Sequence, residues 1–398
     1  MRRLTLWFLV MLNLLTLFIC CQAPFLVAQH AMVKISTTKK RSGRLLPPPL
    51  SVSQVLAAAE QMLLTDYSLP GFSTSHLELI SVKEPTIHDY IIRAKEFAIW
   101  CAEMGLHWVS DPELDLSLLL FFDMLFFKGK GVDAGSKLVA ALKYMMPRFA
   151  RVGAGTLPRT ARALTSWGKA RPGNQRLPFP LIALMAVIGV LTFQGKTWEA
   201  LYLFVQFRTY IRPGAFAKLR VKQLIPPALA AGLVCSHWCL NLNPVEDLVP
   251  GKTGLFDESI MWDLDLWAGA MFTRLIHGRC PEDPLWPLDH GHMILLFKNA
   301  CSQLGMACLE PCLYSLRHGG ASQDLLSRTR TLEEVKKRGG WRSDASLRRY
   351  GKDAKLTAEL NKIPQTVRDY GVKIGSHLEA VLCHNVLFEP PSLPHLTA

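Results

Sequence analysis

The stretch from Tyr314 to Tyr350 reads YSLRHGGASQDLLSRTRTLEEVKKRGGWRSDASLRRY. It joins Arg317 and His318 to a basic helical segment, a Gly-Gly turn followed by Trp341, and a closing tyrosine. A planar guanidinium binds phosphate through two parallel hydrogen bonds. A phenol is a plausible nucleophile only where neighbouring cations lower the cost of its ionisation. The stretch therefore indicates a phosphate-binding site with a tyrosine among arginines.

Composition limits the classes of protein that this chain can belong to. It has 398 residues, 49% of them hydrophobic, and a formal net charge of +13. It is therefore too apolar for a disordered chain and long enough for two or three domains. The positive charge favours a polyanionic partner, either nucleic acid or an anionic membrane. The ten cysteines show neither a disulfide framework nor the usual zinc-ligand spacing, so we expect buried, reduced thiols.

The N-terminal part divides into two segments. Residues 1–25 pair two arginines with the apolar run LTLWFLVMLNLLTLFICC at 4–21, which is typical of a signal peptide or a membrane anchor. Residues 26–80 contain a small basic cluster, KKRSGR at 39–44, and three consecutive prolines. We interpret this second segment as a linker followed by a first helix.

Residues 81–172 are expected to form a helical domain, because apolar residues recur at helical spacing and no strand alternation is visible. The predicted helices are Ile87–Trp108, Asp115–Phe127, Ala134–Met146 and Pro158–Trp167. Cations at 159, 162 and 169 follow the polar side of the last helix. This pattern fits a duplex-embracing module, and it equally fits a solvated bundle face. Prolines at 172, 178 and 180 mark the end of the domain.

A mixed α/β domain is expected over residues 178–364, followed by a Pro-rich C-terminal tail at 365–398. Arg212 opens a short helix in which Ala215 follows three residues later. Lys252 lies in a Gly-rich turn between two β-like runs. The other predicted elements are buried helices at Leu181–Thr192 and Trp198–Tyr210, β-like runs at Leu229–Leu240 and Ser259–Trp262, and helices at Leu264–Ile276 and Met293–Leu304. The fold class predicted for the chain is mainly α with a small antiparallel β-sheet.

The order of these motifs resembles the tyrosine recombinase, or phage-integrase-like, family, and in particular its eukaryotic mobile-element members. In that family H-x-x-R-H is followed by a helix, by a glycine with His or Trp after it, and by a tyrosine nine positions later. Arg317, Trp341 and Tyr350 stand at the matching positions here. Tyr314 stands where the family has its first histidine. The resemblance implies a helical core-binding domain at 81–172 and a catalytic domain at 178–364.

The resemblance also implies a mechanism. Tyr350 would attack a DNA phosphate to give a 3′-phosphotyrosyl link, and Arg212 and Arg317 would clamp the nonbridging oxygens. Lys252 would protonate the leaving 5′-oxygen, and Trp341 would donate its indole N–H or buttress the phosphate. Tyr314 would hold a phosphate oxygen, and His318 would support the pocket. No metal or nucleotide cofactor is implied, because the phosphotyrosine retains the energy of the broken ester.

The implied partner is double-stranded DNA, bound by a homo-oligomer that is a tetramer on its substrate. A nuclear location is expected from this function, in conflict with membrane association through residues 4–21. Two departures from the family pattern, Tyr314 and Ala215, leave open a catalytically inactive DNA-binding descendant of a mobile-element recombinase. A type IB topoisomerase, which shares the chemistry, is a further alternative. Lys252 also fits an ordinary solvated turn lysine, and Arg212 also fits a helix-start arginine paired with a carboxylate.

Overall fold

The computed structural model describes residues 77–78, 81–173, 177–228, 236–249, 251, 254–344 and 353–392. The chain divides between Gly173 and Asn174 into two compact units. The signal-like segment and nearly all of the expected linker lie outside the described residues. No helix in the described ranges combines the length and the apolarity that crossing a bilayer requires.

Between residues 81 and 173 the first unit contains four helices, as predicted from the spacing of its apolar residues. They are α1 (Glu84–Glu103), α2 (Asp111–Phe127), α3 (Val132–Met145) and α4 (Pro158–Ala170). Helix α1 packs on α3, and α2 packs on α4. Their shared core is aromatic-rich and includes Phe97, Phe122 and Trp167. Each large ring removes more apolar surface from water than an aliphatic side chain does, so these rings dominate the stability of the unit.

A buried carboxylate fixes the start of α4. Asp115 on α2 is almost fully buried and accepts the backbone N–H groups of Arg159 (2.9 Å) and Thr160 (2.8 Å). The first N–H groups of a helix have no intrahelical acceptor, so this side chain acts as an N-cap supplied from a neighbouring helix. The cap orients a helix on which Arg159, Arg162 and Lys169 are exposed.

The second unit is mainly α with a small antiparallel sheet, as predicted. Its helices are α5 (Leu181–Phe193), α6 (Thr197–Thr209), α7 (Pro213–Phe216), α8 (Ala268–Ile276), α9 (His290–Gln303), α10 (Leu313–Leu326), α11 (Leu332–Gly339), α12 (Asp353–Leu360), α13 (Gln365–Ser376) and α14 (Leu378–Cys383). The strands are β1 (Leu224–Ile225), β2 (Trp238–Leu242) and β3 (Glu258–Trp262), in the order β1-β2-β3. Of the β-like run predicted from Leu229, the described part begins its strand at Trp238. Leu240 pairs with both Leu224 and Ile260 across the sheet.

Helix α5 is the centre of the second unit. It is apolar on all sides, and Leu184, Val187 and Ile188 are completely buried. A helix without a polar face must be covered all round. Helices α6, α9 and α13 supply that cover.

Residues 365–392, the described part of the expected C-terminal tail, contain helices that pack into the core. Helix α13 packs against α5, and Val367, Tyr370 and Ile374 are buried there in the main core. These residues are spaced three and four apart, so they form one apolar stripe on the helix. The Tyr370 hydroxyl donates to the carbonyl oxygen of Phe388 at 3.0 Å, which holds the following segment as well. The core of the unit therefore extends well beyond residue 364.

Candidate active site

Arg317 connects three separate segments of the second unit. Only 2% of its surface is exposed. Its Nη1 donates to the carbonyl oxygen of Tyr210 at the end of α6, and its Nη2 donates to the carbonyl oxygen of Gly339 at 2.5 Å. The centre of the guanidinium lies 4.3 Å from the centroid of the Trp341 ring. These contacts fix the cation in one orientation at the first turns of α10.

Trp341 reaches Arg317 because the chain reverses sharply after α11. Gly340, at φ +60°, caps the helix, and the Trp341 N–H donates to the carbonyl oxygen of Lys336 at 3.0 Å. The indole ring then folds back over Gly339, where a Cβ atom would overlap it. Glycine at 339 is thus required for the ring position, and its backbone carbonyl is the acceptor that Arg317 uses. A guanidinium over an indole face contributes on the order of 1–2 kcal/mol when desolvated.

Arg212 lies next to this group. It follows Tyr210 by two residues, immediately precedes α7, and its own side chain is half-buried. Its side chain makes no hydrogen bond or ion pair within the part of the chain that the structure describes. Helix α7 packs on α10, the helix that carries Arg317. A half-buried cation with no acceptor among the described residues is suited to binding an anion.

The position three residues after Arg212 holds no carboxylate. Ala215 occupies it and is exposed. Two hydrophobic residues of the same short segment, Phe216 and Leu219, are almost fully buried.

Tyr314 and His318 lie one turn apart on α10, on either side of Arg317 in sequence. Their rings form an edge-to-face pair with centroids 5.0 Å apart and an interplanar angle of 74°. Both side chains are half-buried. The phenol that replaces the family histidine is therefore in direct contact with the remaining histidine of the motif.

Two of the candidate residues, Lys252 and Tyr350, lie outside the described residues. The ends of the β2–β3 connection are described on both sides of Lys252. The Gly251 N–H donates to the Leu255 carbonyl at 3.1 Å, and the Gly254 N–H donates to the Gly251 carbonyl at 2.9 Å. The assignments of the lysine and of the nucleophilic tyrosine remain predictions from the sequence.

Sequence reasoning did not identify Tyr210 as part of this site. The residue is completely buried and has φ +55°, a conformation that costs a bulky residue on the order of 1–3 kcal/mol. Its hydroxyl donates to Oδ2 of Asp324 on α10. Burial, together with the charge of Asp324, raises the pKa of Tyr210, so the phenol stays neutral and donates the hydrogen bond.

The close approach of α6 to α10 depends on Gly320. A Cβ atom there would overlap the carbonyl oxygen of Phe207 and press against the Tyr210 ring. Glycine inside a helix costs about 1 kcal/mol relative to alanine. Two adjacent glycines within a helical pattern are therefore a sequence signal of close packing. The interpretation of the motif did not include this signal.

Asp324 also contacts a half-buried cation, Arg330. Arg330 donates from Nε to Asp324 Oδ2 at 3.0 Å and from its two Nη atoms to both carboxylate oxygens of Asp263, at 2.7 and 2.5 Å. Hydrogen bonds to Asp263 raise the pKa of Arg330. Burial would raise the pKa of Asp263, but the hydrogen bonds from Arg330 and the charge of Arg338 outweigh it and lower that pKa. The pair therefore stays fully ionised near neutral pH.

Two further arginines complete this ion network. Arg208 forms an ion pair with Asp265, with 2.9 Å between Nε and Oδ2. Burial raises the pKa of Asp265, although Arg208 opposes the shift. Arg338 donates to the carbonyl oxygens of Arg208 (3.1 Å) and Met261 (2.8 Å), and its own burial lowers its pKa. The network connects α6, β3, α10 and α11 beneath Arg317.

Comparisons with known proteins gave structural matches alone. No protein-family model matches the sequence, and no curated protein sequence is significantly similar to it. The XerH site-specific recombinase, bound to palindromic difH substrate in a post-cleavage complex, is 12% identical with a TM-score of 0.47. That match covers 77% of this chain and 94% of XerH. A lambda integrase dimer bound to a COC′ core site is 14% identical with a TM-score of 0.44, covering 76% and 96%. The lambda integrase tetramer bound to a Holliday junction is 13% identical with a TM-score of 0.45, covering 82% and 86%. These solved structures are tyrosine recombinases, and they are what this chain is similar to.

Proposed function

We propose that this chain is a site-specific DNA recombinase or integrase that cuts and rejoins DNA through a 3′-phosphotyrosyl intermediate. The supporting observation is the convergence of three segments that are far apart in sequence. Arg317 bonds the carbonyl of Tyr210, Arg212 follows that residue by two positions, and Trp341 covers the Arg317 guanidinium. Two arginines and an indole are the donors that a pentacoordinate phosphate requires.

In this proposal the two arginines have different tasks. Arg317 is held rigidly by backbone carbonyls, so its charge is already oriented before DNA arrives. Arg212 is half-buried and makes no contact with a described acceptor, so it is the arginine expected to close on a nonbridging oxygen. Removing one preorganised donor to developing charge typically lowers a rate by ~10²–10³.

The covalent step transfers the phosphoryl group between two oxygens. The Tyr350 hydroxyl releases its proton to solvent as its oxygen attacks phosphorus. The bond from phosphorus to the 5′-oxygen breaks, and Lys252 supplies the proton that the departing oxygen needs. A 3′-phosphotyrosyl ester and a free 5′-hydroxyl result. Attack by a 5′-hydroxyl on the phosphotyrosine reverses the step and rejoins the strand without a cofactor.

Tyr314 takes a reduced role compared with the family histidine. Histidine titrates near neutrality, whereas a phenol with a pKa near 10 exchanges protons poorly at that pH. Tyr314 therefore holds a phosphate oxygen, and the adjacent His318 keeps its ring in position through their edge-to-face contact. Tyr314→His is expected to preserve or raise activity near neutral pH.

The proposed substrate is duplex DNA, and the first unit contributes to its binding. Arg159, Arg162 and Lys169 are exposed along α4, whose start is fixed by the Asp115 cap. Such cations bind the phosphate backbone without reading sequence, so affinity should fall steeply with salt. We propose that the chain acts as a homo-oligomer, with four copies on the recombining duplexes.

Trapping the covalent adduct tests the proposal. The full chain is incubated with a pool of duplexes that carry a nick beside a randomised centre, so that cleavage releases a short strand and prevents rejoining. We expect a protein–DNA adduct with the native protein and with Tyr144→Phe, a control change in the first unit. Tyr350→Phe should bind the same DNA and give no adduct.

The controls separate the proposal from its rivals. Arg212→Ala should lower cleavage by ~10²–10³ with little change in affinity, whereas Lys218→Ala, which removes an exposed cation nearby, should leave cleavage nearly unchanged. DNA binding by the native protein without any adduct would instead identify a non-catalytic DNA-binding protein. Relaxation of supercoiled plasmid without a specific site would identify a type IB topoisomerase.

A further inference from the structure

The contacts of Tyr210 point to a role for two residues that do not reach the substrate. Its hydroxyl donates to Asp324, and its backbone carbonyl accepts from Arg317. Asp324 and Arg317 are seven residues apart on α10, which places them two turns apart on one face of the helix. Tyr210 therefore contacts one face of α10 at two places, the carboxylate of Asp324 and the guanidinium of Arg317.

Asp324 is itself held firmly. It is 2% exposed, accepts from Nε of Arg330 at 3.0 Å, and its backbone carbonyl accepts the N–H of Thr329 at 3.0 Å. Arg330 is fixed in turn by its paired contacts with Asp263. A carboxylate with so many constraints can fix the orientation of the phenol that it binds.

The backbone of Tyr210 needs such a constraint. Its positive φ is a conformation that bulky residues avoid, and it persists only where the surroundings impose it. The ring is completely buried, and Gly320 leaves the space that the ring and the end of α6 occupy. The hydrogen bond to Asp324 is the polar contact that anchors the ring and keeps the carbonyl directed at Arg317.

We infer that Asp324 and Tyr210 are positioning residues for Arg317, with Asp324 fixing the phenol and Tyr210 presenting the carbonyl that aims the guanidinium at the phosphate. The inference rests on the proposed function, in which Arg317 stabilises charge on the nonbridging oxygens. It adds a buried acid and a buried phenol to the groups on which strand cleavage depends. Neither residue touches DNA.

Tyr210→Phe tests the inference, because it deletes the hydroxyl and keeps the ring. The matched control is Tyr202→Phe, in the helix α6 that Tyr210 follows. Tyr202 is also almost fully buried, and its hydroxyl has no hydrogen-bond partner among the described residues. Cleavage of the nicked duplex is measured in single turnover, with DNA affinity measured in parallel. We expect Tyr210→Phe to slow cleavage by at least about tenfold, or ~1.4 kcal/mol, at nearly unchanged affinity, and Tyr202→Phe to leave both unchanged.

A neutral substrate distinguishes positioning of Arg317 from general loss of structure. A methylphosphonate at the scissile position removes the negative charge on which Arg317 acts. The deficits of Tyr210→Phe and Arg317→Ala should therefore both shrink on this substrate. A deficit of Tyr210→Phe that is the same on phosphate and methylphosphonate would mean a structural role only and would overturn the inference.

Two further measurements test whether Tyr210 and Asp324 position Arg317. Asp324→Asn should act in the same direction, and combining it with Tyr210→Phe should cost little more than the worse single change, because both belong to one chain of contacts. Additive losses would contradict this.

Arginine-selective ¹⁵N NMR, with Arg317→Lys used for assignment, reads the guanidinium directly.

We expect the Arg317 N–H signals to be protected from exchange in the native protein and to lose that protection in Tyr210→Phe. Unchanged signals would overturn the inference even in an inactive protein. A native protein that forms no adduct would count against the proposed function alone, since the NMR comparison still reports on the positioning.

Discussion

Replacing Gly320 by alanine tests how closely α6 approaches α10 beneath Arg317. The change adds one methyl group to the interior of a helix, where alanine is normally favoured over glycine by about 1 kcal/mol. At this position the new carbon would overlap the carbonyl oxygen of Phe207 and crowd the ring of Tyr210. The local helix preference and the packing therefore act in opposite directions.

The packing effect should be the larger one. Relieving the overlap requires α6 to move away from α10 by about 1 Å, and such overpacking typically costs 1–3 kcal/mol. The same movement lengthens the bond from Tyr210 to Asp324 and the bond from Arg317 to the Tyr210 carbonyl, and bonds to charged groups each contribute about 1.5–3 kcal/mol. Because the two bonds are lengthened and not broken, only part of their contribution is lost. After subtracting the gain in helix preference, we expect a net loss of about 2–4 kcal/mol. For a unit of this size that corresponds to a decrease in Tm of roughly 5–15 °C.

Thermal and urea unfolding of the full chain, followed by circular dichroism, measure this loss. Gly214→Ala is the matched control, since Gly214 lies in α7 of the same unit and a Cβ atom there would meet nothing within 4 Å. We expect the control to change stability by less than about 1 kcal/mol. If Gly320→Ala proves as stable as the native protein, the two helices are not in the described contact, and the argument for positioning through Tyr210 loses its basis.

Four further predictions concern other parts of the chain. Asp115→Ala should destabilise the first unit by about 2 kcal/mol, because α4 loses its N-cap; unchanged urea unfolding of the full chain would contradict this. Asp263→Asn should lower stability at neutral pH. Because the pKa of Asp263 in the folded protein lies below its ordinary value of 3.8, the stability that the ionised carboxylate contributes is lost as the pH falls through that pKa. A difference in Tm that stayed constant from pH 7 to pH 2 would refute that sign. A chain ending at Pro364 should be insoluble or fail to unfold cooperatively, since α5 loses the cover of α13; a soluble, cooperative monomer would show that the last helices are dispensable. Replacing the bridging 5′-oxygen of the scissile phosphate by sulfur should restore cleavage by Lys252→Ala more than by Arg212→Ala, because a thiolate leaves without a proton; equal recovery would make Lys252 a turn residue.

The helices of both units were predictable because their signals are local. For example, the helix expected at Asp115–Phe127 is present, and it starts four residues earlier, at Asp111. Ser110 and Glu113 form a capping box there, so the missing turn was encoded by residues next to it. The apolar stripe of α13 was equally visible in the sequence. The prolines near the C-terminus favour a tail, whereas the spacing of Val367, Tyr370 and Ile374 favours a buried helix, which is what the structure contains.

The positioning contacts could not be predicted in the same way. Tyr210 and Asp324 are 114 residues apart, and each looks ordinary in its own neighbourhood. Their contact depends on the packing of α6 against α10, which periodicity does not specify. The two glycines after His318 are a local signal of this packing, because glycine destabilises a helix interior unless close packing requires it. Residue types and spacing thus predict the arginines as site residues, whereas the contacts around Arg317 required the tertiary structure.

The packing of α13 against α5 also determines when this protein can fold during its synthesis. Tyr370 and Ile374 cover Gly189, so the first helix of the second unit waits for one of the last to leave the ribosome. At usual rates of about 5–20 residues per second, that wait lasts on the order of ten to forty seconds. Throughout this interval α5 has no polar face to present to water, and it must be shielded by a chaperone or by the partly folded chain. Yield in a foreign host should therefore depend on translation speed and chaperone supply at least as much as on the stability of the finished fold.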